Sequence, residues 1–461
     1  MSTKYSTNNH NSKRNAIGRS TSDRNNTTSI TPRKASVPRT KKQRRVHPAV
    51  KAFFLTLAIV VGVGMVIVLC ISLPRYLKEH KTEEFSLSSF VEAIPETLTE
   101  DNGISLPDNE EPAEAESKYD DLRNYPDYLA ENNIFFKDAH KEGEVTLGFT
   151  GDVLFDDEYA VMAALIQRGN DLESSITPDT LKAMNDMDIM VINNEFPFTE
   201  GGTRQADKQY TFRADYSTAP YLQQMGVDAA ILANNHVFDF GEQGLLDTLK
   251  TMDDLGIQPL GAGRNITEAM TPTYYIVNDI KIALIAATDI ERLDYPDTKA
   301  ATEDSAGVLR SWNNNEQLVE IIKNARENAD FVIVCIHWGT EKEEVPDYYQ
   351  KLLAPKIAEA GADIIIGDHP HRLQGVYYYN GVPCIYSLGN FWFNGFALDT
   401  GMVEVTVDND GLKALRFLPA VQANYSTGLV YDSEKGRILN YMRMLSPDAV
   451  IDEEGYITPK Q

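Results

Sequence analysis

Residues 331–339 read FVIVCIHWG and residues 363–371 read DIIIGDHPH. Each is a short β-branched apolar run that stops at side chains able to hold a metal. A run of this length, apolar on both faces, predicts a strand inside a covered sheet. Four more runs share the plan: VTLGFTG (145–151), DIMVINNE (188–195), DAAILANN (228–235) and KIALIAATD (281–289). Between them lie stretches of helical period at 158–168, 244–255, 315–328 and 347–360. That alternation predicts an α/β domain. After Gly367 hairpins take over, with Asn380-Gly381 between two strand-like runs and Asn409, Asp410 and Gly411 between two more. A mixed α/β domain is expected over 144–423. Residues 424–461, with a helix-like 433–445, follow as a C-terminal extension.

Toward the N-terminus, residues 52–73 read AFFLTLAIVVGVGMVIVLCISL without a charge. At about 1.5 Å per residue this stretch spans roughly 33 Å, enough for a bilayer core of about 30 Å. A cleaved signal peptide has a shorter apolar core and a brief basic lead, whereas here the lead is 51 residues long. A single retained transmembrane helix, a signal-anchor, is the expectation. Arg39, Lys41, Lys42, Arg44, Arg45 and Lys51 precede it, and Arg75, Lys78 and Lys81 follow it. The N-terminus is then cytoplasmic and the main domain extracellular. Residues 1–51 hold few large apolar side chains and read as a disordered basic tail. Residues 74–143 read as an acidic stalk, with 125–136 as a helical lead-in.

The tail carries thirteen Lys/Arg against one acid, Asp23, yet the whole chain stands at −25. The body is therefore strongly acidic, which excludes a nucleic-acid-binding domain. Three cysteines are too few for a disulfide framework, and Cys335 and Cys384 read as buried thiols.

Four of the eight histidines, His236, His337, His369 and His371, follow the C-terminal ends of apolar strands. In open α/β sheets that edge is where ligands bind. Asp152, Asn194, Glu195 and Asn235 end neighbouring strands. Helix capping explains one such residue but not five strand ends. An extended H-x-H would point both imidazoles to one side. Imidazole, carboxylate and amide donors without thiolate predict Mn, Fe or Zn, as one ion or two. A two-ion site stabilises displacement at phosphorus. Arg213 and Arg372 are cations available to an anionic substrate.

TGDVLF, NNEFP, LANNHVFDFG, IHWGTE, GDHPHRLQG and YSLGNFWF, in this order, closely resemble the CapA family of poly-γ-glutamate capsule synthesis proteins. The resemblance implies a fold similar to the calcineurin-like metallophosphoesterases, a metallophosphatase-like four-layer sandwich of two mixed β-sheets flanked by helices. It implies metal ligands at Asp152, Glu195 (bridging), Asn235, His337, His369 and His371. It further implies His236 as an acid toward the leaving group, with Asp239 orienting it. Leu154 stands where the phosphoesterase D-x-H motif has a ligating histidine, which leaves one ion position short. The implied function is a membrane-anchored role in capsule polymer synthesis, export or attachment, beside other capsule-synthesis membrane proteins. Two alternatives stay open: a surface hydrolase acting on a phosphoester or anionic polymer, and a non-catalytic scaffold.

Overall fold

β-Branched side chains pack best on a pleated surface covered from both sides. All six runs are strands in the computed structural model, which describes residues 117–461 apart from 207, 291–298 and 313–314. The tail 1–51, the membrane segment 52–73 and stalk residues 74–116 lie outside the described residues. Among the described residues no helix is long and apolar enough to cross a membrane.

One seven-stranded sheet runs in the order Ile134–Phe136, Thr273–Val277, Ile280–Thr288, Phe331–His337, Ile364–Asp368, Val382–Leu388, Leu373–Tyr379. A second, eight-stranded sheet runs Ser426–Leu429, Gly411–Ala423, Leu398–Asp408, Val145–Val153, Ile189–Asn194, Ala229–Ile231, Gln258–Leu260. Its eighth strand, Asn390–Trp392, pairs with Val145–Val153 off that path. Both sheets are mixed: the first has parallel pairs at its centre and an antiparallel hairpin toward each edge, and the second is antiparallel on one side of Val145–Val153 and parallel on the other.

The period of two divides each central strand between two cores. In Ile280–Thr288, residues Ile282, Leu284 and Ala286 join Ile333, Cys335, Ile364 and Ile366 in the layer facing the second sheet. The alternate residues Ala283, Ile285 and Ala287 face outward with Val332, Val334 and Ile336. There Leu318, Ile321 and Ile322 of the helix Asn315–Asn328, and Leu353 and Ile357 of Tyr348–Ala360, cover them. Helices Ala160–Gln167 and Gly241–Leu255 press Val161, Leu165, Leu245, Leu249 and Met252 onto the second sheet. Each such buried aliphatic side chain contributes about 1.5–3 kcal/mol. The result is helix, sheet, sheet, helix, which fits the architecture the resemblance implies.

Two margins differ from their sequence reading. Residues 125–136 are not helical throughout: the helix Pro126–Glu131 gives way to the strand Ile134–Phe136, parallel to Thr273–Val277. Burial of Ile134 (4% exposed) drives that pairing. Residues beyond 423 are packed rather than appended. Ser426–Leu429 extends the second sheet, and the helix Asp432–Leu445 buries Ile438, Leu439 and Met442. The Asn380-Gly381 turn has φ of 53° and 87°, the doubly left-handed turn that matches strand twist. Cys335 and Cys384 are free, buried thiols.

Candidate metal centre

The parallel strands of both sheets end at one edge, and the sequence places polar residues there. Asp152, fully buried, is the penultimate residue of Val145–Val153. Gly151 before it lies so close to Gly389 that a Cβ would stand 1.8 Å from the Gly389 carbonyl oxygen. Asp152 N donates to that same oxygen at 2.9 Å. Gly389 itself is the single residue between Val382–Leu388 of the first sheet and Asn390–Trp392 of the second. Glu195 follows Ile189–Asn194, and its N–H donates to Val153 O at 3.2 Å. Asn235 and His236 sit in a turn held by Asn234 Oδ1, which accepts from the N–H groups of His236 and Val237 at 3.0 Å each.

His337 ends Phe331–His337, and His369 and His371 lie just beyond Ile364–Asp368. The H-x-H stretch is not extended. His369 and His371 have φ of 99° and 55°, a left-handed backbone that costs energy in residues other than glycine. The rings therefore part, with His369 turning to His337 and His371 to Asp152.

Two groups of donors result. In the first, His337 Nε2 lies 3.1 Å from His369 Nδ1, 2.8 Å from Asn235 Oδ1 and 3.6 Å from Glu195 Oε1. In the second, His371 Nδ1 lies 2.9 Å from Asp152 Oδ2 and 2.8 Å from Asn390 Oδ1. Donor atoms of Glu195, His337 and His369 fall within 4.8 Å of one another, as do those of Asp152, Glu195 and His371. Glu195 belongs to both groups. Asn193 joins them, donating to Asp152 Oδ1 at 2.7 Å and lying 3.3 Å from His337 Nδ1. Ligands held about 2.0–2.2 Å from a tetrahedral ion are about 3–3.5 Å apart, much as in the first group. Both Glu195 oxygens are buried without a hydrogen-bond partner. A carboxylate so placed calls for a cation or a proton. These residues fit a divalent metal ion. Leu154 is fully buried in the core and offers no donor.

The electrostatics differ across the centre. Burial holds His337 and His369 well below the usual imidazole range, keeping them in the neutral form that binds metal. Burial pulls His371 the same way, but its hydrogen bond to Asp152 and that residue's charge outweigh it and raise the ring. Glu195 is pushed well up, by burial first and then by Asp152 and Asp368. Burial, followed by the Lys208 cation, lowers His236 to about 4. That ring is neutral at pH 7. Its Nδ1 lies 2.7 Å from Asp239 Oδ2, and its Nε2 faces the centre, 3.9 Å from Glu195 Oε1. Asp239, fully buried, also accepts from Lys208 Nζ at 2.6 Å and from Phe212 N at 2.7 Å. Lys208, with its side chain 5% exposed, bonds the Asn235 carbonyl as well.

Asn193, Lys208, Asp368 and Asn390 complete this environment and were not anticipated from sequence. A cavity of about 370 Å³ opens beside Asn235 and His369, walled by Asp289, Glu341, Trp312 and Tyr349. Burial pushes the Asp289 carboxyl up to about 6. Arg372 lines a separate cavity of about 650 Å³ with Arg437, Asp399 and Tyr441. Arg213 lies over the Phe240 ring at 5.0 Å.

Comparison with known proteins adds a family. Residues 146–395 match the family model described as bacterial capsule synthesis protein PGA_cap. Over 286 residues the chain is 32% identical to the PGA biosynthesis protein CapA of Bacillus subtilis (strain 168), covering 61% of this chain and 72% of that one. Over 223 residues it is 33% identical to the capsule biosynthesis protein CapA of Bacillus anthracis, covering 47% of this chain and 53% of that one. The matched region contains both groups of donors.

Proposed function

Because this chain belongs to the PGA_cap family of bacterial capsule synthesis proteins, we propose that it acts in making, exporting or attaching an extracellular polymer of the poly-γ-glutamate type. In this reading residues 52–73 anchor it in the cell membrane with the body outside, beside other capsule-synthesis membrane proteins. The observation that carries a metal-dependent role is the pair of donor groups sharing Glu195, whose two oxygens are buried and unbonded.

Glu195, Asn235, His337 and His369 would hold one ion of Mn, Fe or Zn, and Asp152, Glu195 and His371 a second. Such ions polarise an ester or amide oxygen and supply a reactive water at neutral pH. The chain's own residues do the rest. Asp239 accepts a hydrogen bond from the His236 Nδ1–H and fixes the ring, while Lys208 and the Phe212 N–H hold Asp239 in place. His236, neutral at pH 7, then presents Nε2 to the centre as a proton acceptor, the reverse of the acid role that the resemblance implies. The cavity walled by Asp289 and Glu341 repels carboxylates.

The His236–Asp239–Lys208 relay also favours a second reading, a surface hydrolase acting on phosphoesters. One genetic experiment and one assay separate the readings. Deletion should lower surface polymer, and a His337→Ala/His369→Ala variant should fail to restore it. Unchanged polymer and envelope composition after deletion would refute the capsule role, and full restoration by a folded double variant would reduce the protein to a scaffold. Turnover of generic phosphoesters by the Mn-loaded protein, abolished in His236→Ala, would establish the hydrolase.

A further inference from the structure

The cavity of about 370 Å³ beside Asn235 and His369 joins two kinds of surface. Its inner end carries donors. Asn235 and His369 are each 5% exposed, and each turns one atom to His337, Asn235 through Oδ1 and His369 through Nδ1. Asn235 Nδ2 and His369 Nε2 have no hydrogen-bond partner among the described residues. With Nδ1 of His369 given to a metal, the proton sits on Nε2, which then donates. Two donors on buried side chains at a cavity wall call for an oxygen from a ligand.

The outer wall carries acceptors. Asp289, Glu341 and Asp347 line it, and among the described residues no Lys or Arg does. Asp347 is taken up by the fold: one oxygen accepts from the N–H groups of Tyr349 and Gln350, and the other from Thr340 Oγ1 at 2.9 Å. Asp289 uses only Oδ1, on Ser311 Oγ at 2.8 Å. Glu341 has neither a hydrogen bond nor an ion pair among the described residues. Beside these free oxygens stand Trp312 and Tyr349, their ring centroids 4.9 Å apart at 61°. Aromatic faces and unpaired carboxylates both attract a cation, and neither attracts an anion.

On the capsule reading given above, we propose that this cavity takes a primary ammonium group, the amino end of the polymer chain, and sets the adjoining carbonyl oxygen against Asn235 Nδ2 and His369 Nε2. A chain linked through γ-carboxyl groups keeps a carboxylate on every residue but a free amino group only on its first. The acidic wall turns the body of such a chain away and admits that one residue. The centre then works at the end of a chain, not along its length.

Full-length protein in detergent would be titrated calorimetrically at neutral pH with three probes: a short γ-glutamyl peptide with a free amino end, the same peptide N-acetylated, and a simple alkyl diamine. The free peptide should bind about tenfold or more tightly than the acetylated one, the scale of one hydrogen bond to a charged group. Glu341→Gln and Trp312→Leu should each narrow that gap, and Glu341 is exposed, so its substitution spares the fold. Equal affinity for the two peptides, or a gap that neither variant narrows, would overturn the proposal. A diamine that binds as tightly as the free peptide would keep the ammonium site but overturn the chain end as its source. Mn(II) uptake and surface polymer are read separately. A peptide preference in protein that takes up no Mn(II) would defeat the metal reading alone, and the same preference with polymer unchanged after deletion would defeat the capsule reading alone.

Discussion

On one side of Glu195, the ring nitrogens of His337 and His369 and the Asn235 amide oxygen turn toward one another. On the other side, Asp152 and His371 are already bonded to each other and to Asn193 and Asn390. The first side has neutral rings and atoms spaced like ligands. The second resembles an internally satisfied polar network, and its imidazole is held toward the charged form by Asp152. A shared carboxylate thus separates a position ready for a cation from one that must give up hydrogen bonds to take it. Affinity should be unequal across the centre, although both halves draw on similar residue types.

The largest effect bears on the network behind the ready side. Lys208→Met would leave Asp239 buried without its cation, and breaking such a pair costs about 3–5 kcal/mol. Urea denaturation would measure it, and a loss below about 1 kcal/mol would show that the pair carries little. Next comes the direct contrast. Outer supports of metal sites are worth about 10–100-fold in affinity, so removing a ligand atom should cost about 100-fold or more. His369→Ala should weaken the tighter Mn(II) site by that amount, whereas His371→Ala should spare it and weaken only the looser one. Equal effects in calorimetric titrations of the two variants would erase the distinction between the halves.

A smaller effect concerns the cavity on the ready side. The Asp289 carboxyl titrates near 6 in the folded protein and near 3.9 when unfolded. The folded state holds that proton more tightly, so stability from this group is present at low pH and is lost as pH rises through about 6. Asp289→Asn should therefore be more stable than wild type at pH 8, by about 1–2 kcal/mol, with the gap narrowing by pH 5. Denaturation midpoints at the two pH values test this, and a gap that does not change with pH would disprove it. The smallest effect calibrates the scaffold. Gly381 has φ of 87° with nothing within 4 Å of an added Cβ, so Gly381→Ala should cost only the strain of that turn, about 1 kcal/mol. Mn(II) affinity should stay unchanged; a shift would mean that the distant hairpin reaches the centre.

Much of this was legible in the sequence because hydrophobic runs and their polar ends are local signals. The strands Ile189–Asn194, Phe331–His337 and Ile364–Asp368 announce themselves, and so do the histidines that follow them. Lys208 was not legible. Its partner Asp239 lies 31 residues away, and one lysine in a polar loop carries no periodicity. Asp368 was visible in GDHPH but overshadowed by the two histidines beside it. The separation of those histidines was also hidden, because an H-x-H string does not reveal that both residues adopt left-handed backbone. Asn193 and Asn390 act through contacts with strands and loops distant along the chain, within and between the sheets, which no pattern along the chain encodes.

Gly389 has a mechanical consequence. The chain leaves one sheet, passes through this single residue at φ 68° and enters the other beside Asp152. The two layers are thereby pinned together at the edge where the buried donors sit, so they cannot breathe apart there as rigid plates. Access to the donors is then set by the residues that wall the cavity beside Asn235 and His369, most of them in loops, while the floor beneath stays fixed.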